Sequence, residues 1–241
     1  RNVSTSARAA IIDMLLLCED GAFANNILPA RLSRSNFNDQ DKALITKVVY
    51  STLRQQIKID HALSKLSNRP LSKLDPVALC ALRSIVSQIQ QGFDVYAVVD
   101  ETVKVIPFSL KGFVNAIARK ASELNSENKL FVDETPAIQS GLPQWIYDEV
   151  SSVFPNRIPE TLEALNASAS VTLAPITGKE LLVEGARRGE ICPSSLLVRS
   201  AGDISKLDPI QSGKAVVADQ GSQLVVEAVL AKATDTVLDV C

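Results

Sequence analysis

Val95-Tyr96-Ala97-Val98-Val99-Asp100-Glu101-Thr102-Val103-Lys104-Val105-Ile106 is the stretch on which the fold of the first half turns. Its residues 95, 98, 99, 102, 103 and 106 are apolar or carry a methyl group, the i, i+3, i+4, i+7 spacing of one face of an α-helix. The same stripe recurs on either side. Ala7, Ile11, Met14, Leu15 and Cys18 form one, Leu44, Ile45, Val48, Val49, Thr52 and Leu53 a second, and Ala78, Leu79, Leu82, Ile85, Val86 and Ile89 a third. Phe113, Val114, Ile117, Ala121 and Leu124 form the stripe of Lys111–Leu124. Asn38 or Asp39 can accept N–H bonds at a helix start, Asp41 suits the positive end of the helix dipole, and Gly92 and Pro107 fall where stripes end. An all-α bundle follows for residues 1–128.

Composition separates the rest. The chain has 241 residues, 46% of them apolar and 22% charged, with 10 Gly and 11 Pro, as expected of one or two folded domains and unlike a disordered or fibrous chain. Residues 1–128 carry 16 Lys and Arg against 12 Asp and Glu, and residues 129–241 carry 9 against 15, so a +4 half precedes a −6 half. The polar stretch 122–133 marks the junction. Short helical pieces follow around Leu142–Val153, with Pro143 in its first turn, and at Pro159–Asn166. Three β-rich runs, Val171–Leu173, Leu196–Val198 and Ala215–Val217, are then broken by Gly178, Gly185, Gly189, Pro193, Gly202 and Gly213, so an α+β module is expected. Gln220–Lys232 is expected to be a helix burying Leu224, Val225 and Ala228. After it, Thr236-Val237-Leu238-Asp239-Val240 reads as a strand of a parallel sheet covered on both faces. A strand of this kind opens many nucleotide-binding α/β folds, and is equally a buried strand of any α/β protein.

Several function classes fall away. No apolar run approaches the roughly 18 residues a membrane span needs, because Asp13, Arg83 and Glu227 interrupt the longest candidates. Cys18, Cys80, Cys192 and Cys241 form no CxxC pair, and His61 is the single histidine, so neither a disulfide framework nor a metal site is expected. The compartment expected is the reducing cytoplasm. Because the chain starts at Arg1 and stops on a strand, it reads as a fragment. Arg8 and the outward face of Lys111–Leu124, with Lys111, Asn115 and Arg119, read first as a solvated helix surface and alternatively as a phosphate-contacting patch. Trp145 reads as a packing anchor rather than a platform for a base. Cys18 and Cys80 lie on apolar stripes and read as core.

Taken in order, several segments carry a resemblance. They are Arg8 with its helix, Asp41-Lys42-Ala43 leading to Val49-Tyr50-Ser51-Thr52-Leu53-Arg54, Ile59-Asp60, Pro70-Leu71, Leu82-Arg83 and Tyr96–Val103. Further along come Gly112-Phe113-Val114-Asn115-Ala116, Leu142-Pro143-Gln144-Trp145-Ile146, Asp219–Leu224 and Val237–Cys241. In this order and spacing the chain resembles bacterial 16S rRNA cytosine-C5 methyltransferases of the Sun (RsmB) type, whose N-terminal domain is similar to the antitermination factor NusB. The resemblance implies an all-α NusB-like helical bundle followed by a small α+β region and the first strand of a Rossmann-like methyltransferase domain. It implies domains 1–128 (NusB-like, RNA-binding), 129–218 (α+β) and 219–241 (the start of the S-adenosyl-L-methionine domain).

Ribosomal RNA is then the expected partner, with Arg8, Arg119 and Lys120 the RNA-binding candidates and Cys241 the first residue of the cofactor loop. The chemistry implied is covalent. A cysteine thiolate adds to cytosine carbon 6, which makes carbon 5 nucleophilic enough to take the methyl group, and a second cysteine assists elimination. Both would lie beyond Cys241, so no catalytic residue is assigned within the chain. The sequence departs from the family pattern where an Arg is usual in the first strand, at Thr172-Leu173-Ala174-Pro175-Ile176, and again at Ala118-Arg119 and Ala218-Asp219. A non-enzymatic NusB-like RNA-binding module acting in transcription antitermination is the alternative, as is a helical protein-interaction domain. Oligomeric state is not indicated.

Overall fold

The computed structural model describes residues 6–132, 134–167, 170–176, 181, 183–198, 204–232, 234–238 and 240. Seven helices come first: α1 (Ala7–Glu19), α2 (Ala24–Leu32), α3 (Asp39–Arg54), α4 (Gln56–Leu66), α5 (Pro76–Gln90), α6 (Val95–Lys104) and α7 (Phe108–Ser126). Three shorter ones follow, α8 (Pro136–Ser140), α9 (Gln144–Val153) and α10 (Ile158–Asn166). After β1 (Val171–Pro175), β2 (Ala186–Arg188) and β3 (Leu196–Val198) come α11 (Asp208–Gln211), β4 (Ala215–Val217) and α12 (Gln220–Ala228). The chain divides into two compact units, Arg1–Ala167 and Ser168–Cys241. Helix α8 packs against α4, and α9 and α10 pack against α8, so these three helices lie in the first compact unit.

The first unit is built around α5. Ala78 to Ile89 are all buried, and α1, α3, α4, α6 and α7 each pack against this helix. A helix surrounded on every side must satisfy its polar side chains internally. Ser84 Oγ donates to the Ala81 carbonyl at 2.9 Å, Gln88 Nε2 donates to the Ser84 carbonyl at 2.9 Å, and the Ser51 and Ser87 hydroxyls pair at 3.0 Å. Caps fix the starts. Asn38 accepts from Asp41 N at 2.8 Å and Asp94 from Ala97 N at 2.7 Å, while Asp75 accepts from Val77 N at 2.8 Å just before Pro76, which has no N–H to satisfy. In α6 the stripe behaves as its spacing requires, with Val98 and Thr102 buried and Ile106 buried just beyond.

The second unit holds a four-stranded antiparallel sheet in the order β2-β3-β1-β4. Leu173, Leu196, Val198 and Ala215 form its small core. All three expected runs are strands. The fourth strand, Ala186–Arg188, escaped because two of its three residues are arginines and no apolar alternation marks it. Helix α12 stops at Ala228 rather than Lys232, with Leu230 at a positive φ of 52°. It buries Gln223 instead of the apolar residues expected: Leu224 is half-buried, while Val225 and Ala228 are exposed. Gln223 Nε2 donates to the Ala218 carbonyl at 2.9 Å. Among the described residues of the final run, Val237, Leu238 and Val240 are exposed and join no ladder. A parallel strand needs a neighbour reached by a crossover, and the described residues supply none.

Candidate nucleic-acid interface

Helix α7 presents the candidate patch. Val114, Ile117, Ala118 and Ala121 face inward, which turns Asn115, Arg119 and Lys120 to solvent. Arg119 and Lys120 are exposed and have no ion-pair partner among the described residues, so both charges are available to a phosphate. Lys111, one turn into the same helix, is half-buried and donates to the Lys104 carbonyl at 3.4 Å.

Arg8 is placed differently from the solvated position expected of it. Its side chain is half-buried on α1, and Nη1 donates to Gln88 Oε1 in the last turn of α5. Burial lowers the guanidinium from its ordinary value, and Glu101 pulls it back up. Arg8 lines a cleft of about 610 Å³ with Ser6, Asn36, Asn38, Asp41 and Glu101, a cleft that Arg119 and Lys120 do not line. With two carboxylates beside one guanidinium, this cleft is less favourable to an anion than the open face of α7. Arg8 and the Arg119–Lys120 pair thus do not line one cleft. Trp145 also departs from expectation, since it is 69% exposed on α9 rather than packed.

Two charged clusters escaped the sequence reading. Arg83 is 6% exposed in α5. Its Nε and Nη2 donate to the two carboxylate oxygens of Asp60 at 2.7 Å each, and Nη1 donates to Glu19 Oε1 at 2.6 Å. This fork ties α1, α4 and α5 together and is structural, because no face of the guanidinium is left for a ligand. The second cluster gathers at Glu134, whose side chain is 1% exposed with no hydrogen bond to either oxygen. Burial raises its carboxyl from the ordinary value, opposed by Lys58, His61 and Lys65, all on α4. Lys58 Nζ stands 4.0 Å from it and 4.8 Å from the centroid of the Phe131 ring, while Lys65 Nζ donates to the Val132 carbonyl at 2.6 Å. Only the proximity of residues from different helices and loops reveals either group.

Cys18 and Cys80 are placed as core residues rather than as nucleophiles. Burial pushes the Cys80 thiol up to about 12, and burial with Glu19 raises that of half-buried Cys18, so neither supplies thiolate near neutrality. Cys192 is fully buried, with Sγ 2.9 Å from Ser194 Oγ and 3.4 Å from Glu227 Oε1. Its loop is clamped to α12, since the Ile191 and Cys192 amides both donate to Gln220 Oε1 at 3.1 Å. Gly189 permits this approach, because a Cβ there would lie 2.0 Å from Ser195 Oγ and 2.3 Å from Gln220 Oε1. Cys241, the expected cofactor residue, lies outside the described residues. The described neighbours Val237, Leu238 and Val240 are exposed and join no strand pair among the described residues. Among the described residues, no three His, Cys, Asp or Glu side chains could together hold a metal ion, and no helix is long and apolar enough to cross a membrane.

An α5-centred helical bundle with an exposed cationic α7 face is thus followed in the chain by an antiparallel α+β unit. Residues 5–123 match the NusB family, and this helical domain belongs to it. The similarity continues into the second unit. A Mycobacterium tuberculosis protein named as a methyltransferase is 28% identical across 95% of this chain and 54% of its own length. Ribosomal RNA small subunit methyltransferase B of Pseudomonas putida is 23% identical across 91% of this chain and 53% of its own, and the Bacillus subtilis protein named for the same activity is 24% identical across 98% and 57%. The chain therefore spans about half the length of these curated relatives. The crystal structure of PH0851 shares the fold, with a TM-score of 0.61 at 15% identity over 95% of this chain and 56% of that one.

Proposed function

We propose that this chain is the N-terminal half of a cytoplasmic, S-adenosyl-L-methionine-dependent ribosomal RNA (cytosine-C5) methyltransferase, in which the NusB-family domain helps hold the RNA. One observation carries the reading: the similarity to proteins named ribosomal RNA small subunit methyltransferase B covers 98% and 91% of this chain and so extends into both units. In this reading residues 219–241 open the cofactor-binding domain and Cys241 begins its loop. A NusB-like module acting alone would leave the second unit, with its own sheet and core, without a role.

Arg119 and Lys120 supply sequence-independent phosphate contacts, whereas Arg8, turned toward Gln88 and Glu101, is left out of the RNA face in this reading. Binding of a small-subunit rRNA segment by the 241-residue chain should weaken steeply with salt. The Arg119→Ala, Lys120→Ala pair should lower the log–log salt slope by about 1.4, the loss expected for two phosphate contacts to single-stranded RNA. Absence of measurable affinity at about 50 mM salt would remove RNA from the reading. The same chain should transfer no methyl group to RNA, while a protein extended to the length of its relatives should. Methyl transfer by residues 1–241 alone would overturn the division of labour.

A further inference from the structure

A second cleft, of about 780 Å³, lies within the first unit where α8, α9 and α10 meet the α3–α4 junction. This is within the roughly 300–1,000 Å³ of ligand clefts. Its polar lining is mostly amides, with Ser140 and Glu163 besides: Gln55 at the junction, Gln139 on α8, Asn156 between α9 and α10, and Asn166 on α10, with the Tyr147 ring beside them. Asn166 Nδ2 donates to the Ser140 carbonyl at 2.5 Å, which leaves its oxygen free to accept. The Gln55, Gln139 and Asn156 side chains and the Tyr147 hydroxyl have no hydrogen-bond partner among the described residues.

This lining selects a ligand chemistry. A phosphate or carboxylate offers only acceptors and would call for cations, whereas Glu163 is the charged residue in the lining and repels an anion. An amide presents a donor and an acceptor side by side, matching the paired donors and acceptors on the edge of an unpaired base. Tyr147 and the neighbouring prolines 155 and 159 add the flat and apolar surfaces on which a base can lie. The cations stand next to the lining rather than in it. Arg54 precedes Gln55, and Arg157 follows Asn156, and neither has an ion-pair partner among the described residues. Bases inward and phosphates outward is the arrangement this distribution favours.

We infer that the cleft is a subsite for one or two unpaired bases of single-stranded RNA, separate from the α7 face. The inference rests on the RNA reading proposed above and extends it from backbone contact to recognition of unpaired strand. It is tested with the intact 241-residue chain and an end-labelled single-stranded RNA of about 12 nucleotides, with a hairpin of the same composition for comparison. The Gln139→Ala, Asn156→Ala pair and Tyr147→Ala should each weaken single-strand binding about tenfold without changing the salt slope. Tyr147→Phe, which keeps the ring, should restore most of the affinity lost in Tyr147→Ala, and hairpin binding should be indifferent to all of them. The amide pair is exposed, so its variant carries the test if Tyr147→Ala fails to fold. If the amide pair binds like the unmodified chain while Arg119→Ala, Lys120→Ala loses affinity, the subsite is refuted and the RNA reading stands. Equal losses for strand and hairpin would also refute it, and no RNA affinity in any variant would remove both.

Discussion

Twelve consecutive residues of α5, Ala78 to Ile89, are buried in the first unit, whereas α12 in the second buries Gln223 and leaves Val225, Val226 and, just past its end, Val229 and Leu230 between 58% and 81% exposed. Both helices are amphipathic in sequence, yet one is enclosed and the other presents its apolar face to solvent. The difference lies in what surrounds them. Five helices pack around α5, while among the described residues the core of the second unit's sheet has four buried residues and the 191–194 loop meets α12 at Gln220 and Glu227, leaving Val225 and Val226 exposed. A contiguous apolar face of this kind marks a surface that another layer covers. On the reading proposed above, that layer is the sheet to which Val237 and Leu238, 62% and 81% exposed, would belong.

The sharpest way to break the comparison is to open the enclosed unit at its charged centre. Arg83→Met keeps bulk but leaves Asp60 and Glu19 facing each other without their cation. The expected loss is about 3 kcal/mol of stability, at the low end for breaking a buried ion pair because both carboxylates keep part of their water. Urea unfolding followed by far-UV circular dichroism measures it. A change under about 0.5 kcal/mol would mean that the fork contributes no more than a surface ion pair. Arg83→Lys should recover only part of the loss, since an ammonium cannot donate in parallel to both oxygens of Asp60 while reaching Glu19.

The two units also differ in how far their residues could be read in sequence. The bundle was legible because stripes and caps are local: Asn38 caps α3 from three residues away, and Val98 and Thr102 lie a single turn apart. What failed depends on contacts between distant parts of the chain. Arg8 meets Gln88 eighty residues away, and that meeting turns a nominally solvated cation inward. Arg83 interrupts an apolar stripe, and only the fold shows that Asp60 and Glu19 complete it. Trp145 is exposed because α9 offers Val150 to the interior instead. At the candidate interface, helical periodicity was enough to turn Arg119 outward. The amides of the second cleft come from four separate segments with no shared spacing.

A smaller effect separates the strap after α7 from the bundle it lies on. Glu134 is held among Lys58, His61 and Lys65, with burial the dominant influence, so its folded carboxyl titrates above the ordinary range. The sign follows from linkage. A carboxyl whose folded value is raised favours the folded state when protonated, so its contribution is present below the unfolded value and lost as pH rises through the folded one. Glu134→Gln should abolish that loss. Comparing unfolding free energies of the two proteins from pH 4 upward, the variant should gain on the unmodified chain as pH rises and be at least as stable at pH 7. A variant that is less stable at pH 7 would show that the contacts with Lys58 and Lys65 outweigh desolvation of the carboxylate.

The smallest expected effect is the most informative about the exposed helix. Val226 is 72% exposed, so Val226→Ser removes little apolar area that folding of this chain had taken from water. Its stability in the 241-residue chain should change by less than about 0.5 kcal/mol, as for a surface substitution. The same substitution in a protein extended to the length of its relatives should cost about 1 kcal/mol or more, because the valine would then be buried under the added layer. Unfolding of both lengths, with and without Val226→Ser, closes the cycle. Equal costs in the two proteins would mean that α12 stays open to water in the longer one, and its apolar face would no longer support packing against a methyltransferase sheet. Unequal costs would assign that face an occupant through a difference measurement that is insensitive to the absolute stability of either protein.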